Sequence, residues 1–346
     1  MTSINSATVL SKNLWFTYGP STNSEAAVEA ALAAGANGCR LTFSYGTCEL
    51  QEERALLIKS IASRLKRSCT VVADLAGKKI RLGNFDPQSV EVRPNEVIRF
   101  CHPDCSTDID AKIFSVRSAS FFDFVEPGDT IVFGDGTLLV QLTDVSRDSI
   151  CGFAIERGEI NPNRGLIVRG KFNSSGLTDK DIDNISFIAR SSSFDAVALS
   201  FVSNADMIIS ARDLVQQFDK DLPIVAKIET VAGIDQINEI ARQADILMAA
   251  RGDLALTMDW IELPDAVERI AQAARDSLKP WIVATQIVEG LENYTLPYRS
   301  EICDLAHWLR QSAGILLARE TAYGANPTRA ISTVAKMMER YAPVYN

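Results

Sequence analysis

The chain has 346 residues, 47% of them hydrophobic and 23% charged, a mix that excludes a disordered chain and suffices for one large domain plus a smaller one. Its formal net charge of −9 speaks against a protein that grips nucleic-acid backbones, so an anionic ligand needs a local cationic pocket. Seven scattered cysteines, no secretory leader and no run of about 18 apolar residues point to reduced thiols in a cytoplasmic protein without a membrane span.

Short β-rich apolar runs alternate with helical patterns from the start. Leu14-Trp15-Phe16-Thr17 reads as a strand, and Ser24 to Ala34, with alanines and Val28 at helical spacing, as the helix after it. Further strands are expected at Gly38 to Phe43, Thr70 to Leu75, Ala196 to Phe201, Ile224 to Ile228, Ile246 to Ala250, Trp281 to Thr285 and Gly314 to Leu317, eight with the first. Amphipathic stretches such as Asp181 to Ala189, Asp206 to Phe218, Gly233 to Arg242 and Asp265 to Asp276 lie between them, the alternation of a parallel sheet. Asn326-Pro327 opens a last helix with Ile331, Val334 and Met338 on one face.

The alternation breaks between about Leu82 and Gly165. There valines and isoleucines recur among Pro94-Asn95, Pro127-Gly128 and Asp135-Gly136 turn signals without a convincing helix. The expected fold is therefore α/β, a (β/α)8 TIM barrel built from residues 1–81 and 166–346, with a small all-β domain, 82–165, inserted after strand three. Without the insert, the remainder approaches the roughly 250 residues typical of such a barrel.

In this fold active sites gather at the carboxyl ends of the strands. Strand five ends Lys227-Ile228-Glu229, and the two-residue strand period puts Lys227 and Glu229 on one side. Strand six runs into Ala250-Arg251-Gly252-Asp253, so adjacent strand ends offer two carboxylates, enough protein oxygen for magnesium. A lysine beside them suits a transferring phosphoryl group or a developing enolate. Strand seven brings Thr285, a hydroxyl able to relay a proton. Strand two presents Arg40, Thr42 and Ser44 on one side, and strand three ends at Asp74 before the basic Gly77-Lys78-Lys79-Ile80-Arg81 run, suited to phosphate. Each fragment also has an ordinary structural reading as ion pair, helix cap, strand residue or solvated turn. The two histidines, His102 and His307, stand in no acyl-transfer signature, and Cys101, His102 and Cys105 fall short of a four-ligand zinc site.

Taken together, Gly19-Pro20, Arg40-Leu41-x-Phe43-Ser44, Asp74-x-x-Gly77, Ser200-Phe201-Val202, Lys227-Ile228-Glu229, Ala250-Arg251-Gly252-Asp253-Leu254, Ala284-Thr285-Gln286 and Glu320-Thr321-Ala322 follow one another in an order that resembles the pyruvate kinase family. The likeness runs from about residue 14 to 343 and includes the insert, which it implies is a β-barrel lid. The resemblance implies that Lys227, Thr285 and Arg40 are catalytic: Lys227 stabilises the phosphoryl group in flight, and Thr285 helps protonate enolpyruvate. It implies that Glu229 and Asp253 hold Mg2+ or Mn2+, and that the backbone at Ala250, Arg251, Gly252 and Asp253, with Thr285, receives the substrate carboxylate. Arg40, Arg81, Tyr45 and Arg164 are implied for phosphate and nucleotide. The implied partners are phosphoenolpyruvate or pyruvate and ADP or ATP, with no nucleic acid or membrane, in a homodimer.

The departures are specific. Thr42-Phe43-Ser44-Tyr45 stands where family members usually carry Asn-Phe-Ser-His, and Asp74-Leu75-Ala76-Gly77-Lys78-Lys79 where they carry Asp-Thr-Lys-Gly-Pro-Glu. The monovalent-cation region of Ser44, Asp74 and Lys79 is thereby altered, with the Lys79 ammonium in the ion's role, so potassium is expected not to be required. Ser203 replaces an arginine, and Ala318-Arg319-Glu320 replaces Ser-Gly-Glu. Since the sequence ends just after the last barrel helix, the regulatory carboxyl-terminal domain of the family is expected to be absent. Two alternatives stay open: metal-dependent enolate chemistry without nucleotide, as in a decarboxylase of oxaloacetate or another 2-oxoacid or an aldolase, and a non-catalytic metabolite-binding relative.

Overall fold

Aliphatic and β-branched residues dominate eight short segments, and in the computed structural model, which describes residues 13–134, 136–172 and 176–343, all eight are strands. They are Leu14–Thr17, Gly38–Thr42, Thr70–Asp74, Ala196–Leu199, Ile224–Ile228, Ile246–Ala250, Trp281–Ala284 and Gly314–Leu317, referred to below as barrel strands one to eight. Each pairs in parallel with its neighbour in sequence, and strand eight returns to strand one through Leu14 opposite Ile315, closing the barrel. Strands two and three end at Thr42 and Asp74, one residue before the expected limits. Among the described residues no helix is long and apolar enough to cross a membrane.

The barrel interior is a packed core rather than a pore. Trp15, Val72, Ala196, Ala198, Val225, Met248, Ile282, Ala284 and Leu316 meet there, one or two from each of seven strands, as the alternation of inward and outward residues requires. Strand two contributes an absence instead: a Cβ on Gly38 would lie 2.2 Å from Cδ1 of Trp15. The indole fills the volume that a side chain there would take.

The helices start where the sequence caps them. Ser24 accepts from the Ala27 amide ahead of Glu25–Ala33, and Thr178 and Asp181 form a capping box on Asp179–Arg190. Pro327–Tyr341 buries Ala330, Ile331, Val334 and Met338, the face that the spacing predicts. The stretch from Gly233 to Arg242, expected as one helix, is two: Val231–Asp235, capped by Thr230, and Ile237–Gln243. Gln236, at φ −100 and ψ 13, sits in the bridge region and stops the first turn before the second begins.

The described residues divide into one compact unit drawn from 1–77, 175–252 and 264–346, and a second drawn from 78–174 and 253–263. The expected insert, 82–165, lies wholly within the second. Six strands form its main sheet in the order Leu166–Val168, Thr130–Phe133, Leu138–Val145, Ser149–Ala154, Val97–Cys101 and Ile113–Ser115, and Val90–Val92 pairs with Gly158–Ile160. Phe100, Phe114, Phe121 and Phe133 anchor its own core, with the rings of Phe100 and Phe133 stacked at 5.9 Å. Asn95 and Gly128 take positive φ at two of the expected turns; of the third, Asp135 lies outside the described residues.

The Trp15 contact sets a stability test for the barrel. Gly38→Ala is expected to destabilise the chain by about 1–3 kcal/mol, because a rigid buried indole has nowhere to go, and urea unfolding followed by tryptophan fluorescence measures it. A variant as stable as the parent would show that the indole shifts freely.

Candidate active site at the barrel mouth

Parallel strands in a closed barrel deliver all their carboxyl ends to one rim, so residues far apart in sequence meet there. Lys227 comes from the end of strand five, Glu229 from just beyond it, Asp74 from the end of strand three, Arg40 from strand two and Ser200 from just after strand four. Lys227 Nζ lies 3.0 Å from Asp74 Oδ1, 3.2 Å from Glu229 Oε1 and 2.6 Å from Ser200 Oγ. Arg40 Nη1 reaches Asp74 Oδ2 at 3.3 Å, and its Nε donates to Thr17 Oγ1 at 3.0 Å at the end of strand one. The contact with Oδ1 is an ion pair without hydrogen-bond direction.

Two cations and two carboxylates thus form one neutral group. Lys227, Glu229 and Asp74 are 7%, 3% and 4% exposed, and charges so buried persist only when paired. Burial alone depresses the Lys227 pKa, but the Asp74 and Glu229 carboxylates outweigh it, against a smaller opposing effect of Arg40, and hold it above the ordinary lysine value. The ammonium is therefore a fixed charge. Ser200 Oγ donates onward to the Leu75 carbonyl at 2.7 Å, and Glu229 Oε2 accepts the Phe201 amide at 2.7 Å, so both groups beside the lysine are oriented by backbone.

A second constellation belongs to the ends of strands six to eight. Thr285 follows strand seven with φ +75, and Gln286 follows with φ +54. A Cβ on Gly252 would come 3.0 Å from Thr285 Cγ2, so the missing side chain leaves room for the threonine. Arg251 Nη2 donates to the Thr285 carbonyl at 2.7 Å and Nη1 meets Asp304 Oδ2 at 2.5 Å. Ala250 ends strand six, and Arg251 to Asp253 form the first turn of the short helix Arg251–Thr257.

Tyr45 is 64% exposed, and Ser44 is half-buried with its amide on Thr42 Oγ1. Within the second unit, Lys79 Nζ pairs with Asp253 Oδ1 at 2.6 Å rather than with Asp74. Arg81 donates to the Asn163 carbonyl at 3.2 Å, and Arg164 bonds Asn161 and Thr137 while lying against Gly134, where a Cβ would touch its guanidinium. Sequence reasoning missed the partnership of Asp74 and Ser200 with Lys227, although both lay in quoted motifs, and it missed Asp304 altogether, a helix residue with no local signal.

Among the described residues no cluster of three or more His, Cys, Asp or Glu is arranged to hold a metal. Glu229 and Asp253 are each hard carboxylates, a ligand type of which magnesium commonly takes one or two, and in this structure Glu229 is engaged by Lys227 and Asp253 by Lys79.

A family model described as the pyruvate kinase barrel domain matches residues 11–331. The chain is 30% identical over 323 residues to the pyruvate kinase of Thermotoga maritima, covering 93% of this chain and 69% of that protein. It is 29% identical over 324 residues to that of Mycobacterium intracellulare, covering 93% and 68%. It is also similar to the crystal structure of pyruvate kinase from Pyrobaculum aerophilum, with a TM-score of 0.85 and 26% identity over 97% of this chain and 76% of that one.

The charge-balanced cluster sets a test of its own. Lys227→Met leaves Asp74 and Glu229 short of a cation and is expected to cost about 3 kcal/mol of stability, near the lower end for a broken buried pair because Arg40 stays on Asp74. The folded-state pKa being raised, the advantage of the parent is fully present below the unfolded lysine value of about 10.4 and declines as pH rises above it. Denaturant titrations of both proteins between pH 8 and about 11 check this; equal stability at pH 8 would refute the pairing.

Proposed function

We propose, because the chain belongs to the pyruvate kinase family, that it is a phosphotransferase moving a phosphoryl group between phosphoenolpyruvate and ADP in the presence of a divalent cation. The observation that supports this most is the buried Lys227 ammonium, fixed by Asp74, Glu229 and Ser200 at the strand ends. A transferring phosphoryl group spreads negative charge over its oxygens, and a charge already oriented in a site of low dielectric stabilises it without reorganisation.

In this reading Arg40 binds phosphate beside Lys227, and the backbone from Ala250 to Asp253 takes the substrate carboxylate at a helix amino terminus. Thr285 hands a proton toward the enolate carbon. Arg81, Arg164 and Tyr45 serve the nucleotide, and Glu229 and Asp253 are the carboxylates that would hold the cation. When bound, magnesium supplies neutralisation of the phosphate oxygens. Lys79 already neutralises Asp253, so a divalent ion at that carboxylate meets a competing ammonium.

The test is direct. Purified protein with magnesium, phosphoenolpyruvate and ADP should form pyruvate and ATP, and Lys227→Met should lose at least about 10³-fold of that rate. No ATP, but pyruvate released from oxaloacetate without nucleotide, would replace the kinase with a lyase on the same enolate site. Turnover retained in Lys227→Met would remove that residue from its role.

Lys79 stands where family members usually carry a carboxylate, and its ammonium is taken up by Asp253. Replacing potassium with tetramethylammonium at constant ionic strength should still leave the rate within about twofold, since Thr42 and Leu75 stand where the family carries the Asn and Thr donors of its potassium site. Strict potassium dependence would be the contrary result.

A further inference from the structure

Thr285 is a β-branched residue at φ +75, followed by Gln286 at φ +54. A β-branched side chain in the left-handed region is a backbone outlier, and such outliers persist only where their surroundings over-determine them. The surroundings do so here from both sides. Arg251 Nη2 donates to the carbonyls of Thr285 at 2.7 Å and Gln286 at 3.1 Å, while its Nε reaches the Ala284 carbonyl at 3.4 Å. Three consecutive carbonyls converge on one guanidinium. On the amide side, Glu320, itself buried, accepts from Ile287 and Val288 at 2.9 and 3.3 Å and from Ala318 at 2.9 Å.

Arg251 is aimed in turn. Its Nη1 lies 2.5 Å from Asp304 Oδ2, and Asp304 Oδ1 accepts from the indole of the buried Trp308 at 2.6 Å. The planar fork of an arginine reaches several acceptors at fixed angles, which the compact ammonium of a lysine does not. The next residue, Gly252, has no side chain to collide with the Thr285 methyl group. One dipeptide therefore grips the Thr285 backbone and leaves room for its side chain.

We propose that Arg251, oriented by Asp304, is a positioning residue that holds Thr285 in its left-handed conformation and so aims its hydroxyl. This rests on the reading of Thr285 as the hydroxyl serving the enolate. The guanidinium reaches Thr285 through its backbone carbonyl, so its loss displaces the hydroxyl and is read first in the rate of the bound complex. Loss of an ordinary stabilising ion pair would lower stability and leave kcat of the folded enzyme unchanged.

Arg251→Ala, Arg251→Lys and Asp304→Asn in the full chain test it. With phosphoenolpyruvate and ADP, kcat is expected to fall about 100-fold in both Arg251 variants, as for a displacement of about 1 Å near the reacting atoms. It should fall about tenfold in Asp304→Asn, where the bond to the guanidinium loses its charge. KM should stay within about twofold, and amide hydrogen exchange at Ile287 and Val288 should quicken in all three. With an active parent, unchanged kcat or a loss confined to KM overturns the proposal. If the parent itself makes no ATP, the proposed activity fails, and exchange alone decides the positioning role: quickened exchange sustains it and unchanged exchange overturns it. Should Arg251→Ala not fold, Asp304→Asn, which keeps the guanidinium, supplies the same readouts.

Discussion

Four charges that cannot be left single hold the rim of this barrel together. Asp74, Lys227 and Glu229, from the ends of strands three and five, are nearly dry and tolerated only because they are paired, and the partly exposed Arg40 of strand two completes the balance. The barrel makes the arrangement available, because parallel strands of four or five residues end at one level and each end adds one or two side chains. The core beneath is apolar and filled by Trp15 and Met248 among small alanines, which keeps water from reaching the cluster from below. Neutrality of the group and dryness of the core are therefore a single constraint, and the lysine charge that the proposed chemistry uses is a product of both.

The second half of the rim is held by backbone rather than by charge balance. At the end of strand seven the chain turns through two positive-φ residues that glycine or asparagine would take more easily. A threonine and a glutamine stand there, gripped by a cation at their carbonyls and by an anion at the amides that follow. A residue type that opposes its own backbone, set among partners that enforce it, marks a place where local preference has yielded to a demand of the site.

How much of this was legible in the sequence depends on the range of each interaction. The two-residue period of strands brings Lys227 and Glu229 together at the end of strand five, and the structure puts them 3.2 Å apart. The eight strands were legible for the same reason, as runs of apolar residues between turn signals. The Asp74 partnership with Lys227 was not, because strand four lies between strands three and five and the two side chains meet only where the strand ends converge on the rim. Asp304 sits on an ordinary amphipathic helix, and nothing nearby in sequence distinguishes it from a solvated face. Lys79 was expected beside Asp74 by its place in a motif, yet its ammonium pairs with Asp253, because a four-carbon stem selects among several carboxylates by packing that sequence does not encode. The stem lies across Gly165, whose missing side chain makes the passage.

The same distinction explains where the chain departs from the pattern of its family. Ser203, in place of an arginine, is satisfied locally, with its hydroxyl 3.6 Å from the Met207 sulfur. Arg319, in place of a glycine, is 57% exposed and finds Glu292 and the face of Tyr323. A change at either site is absorbed by water or by a near neighbour. A change at Asp74, Glu229 or Lys227 leaves a buried charge uncompensated, a cost that no nearby rearrangement removes. Positions such as 203 and 319 are thus free to vary while the lysine-centred cluster is not.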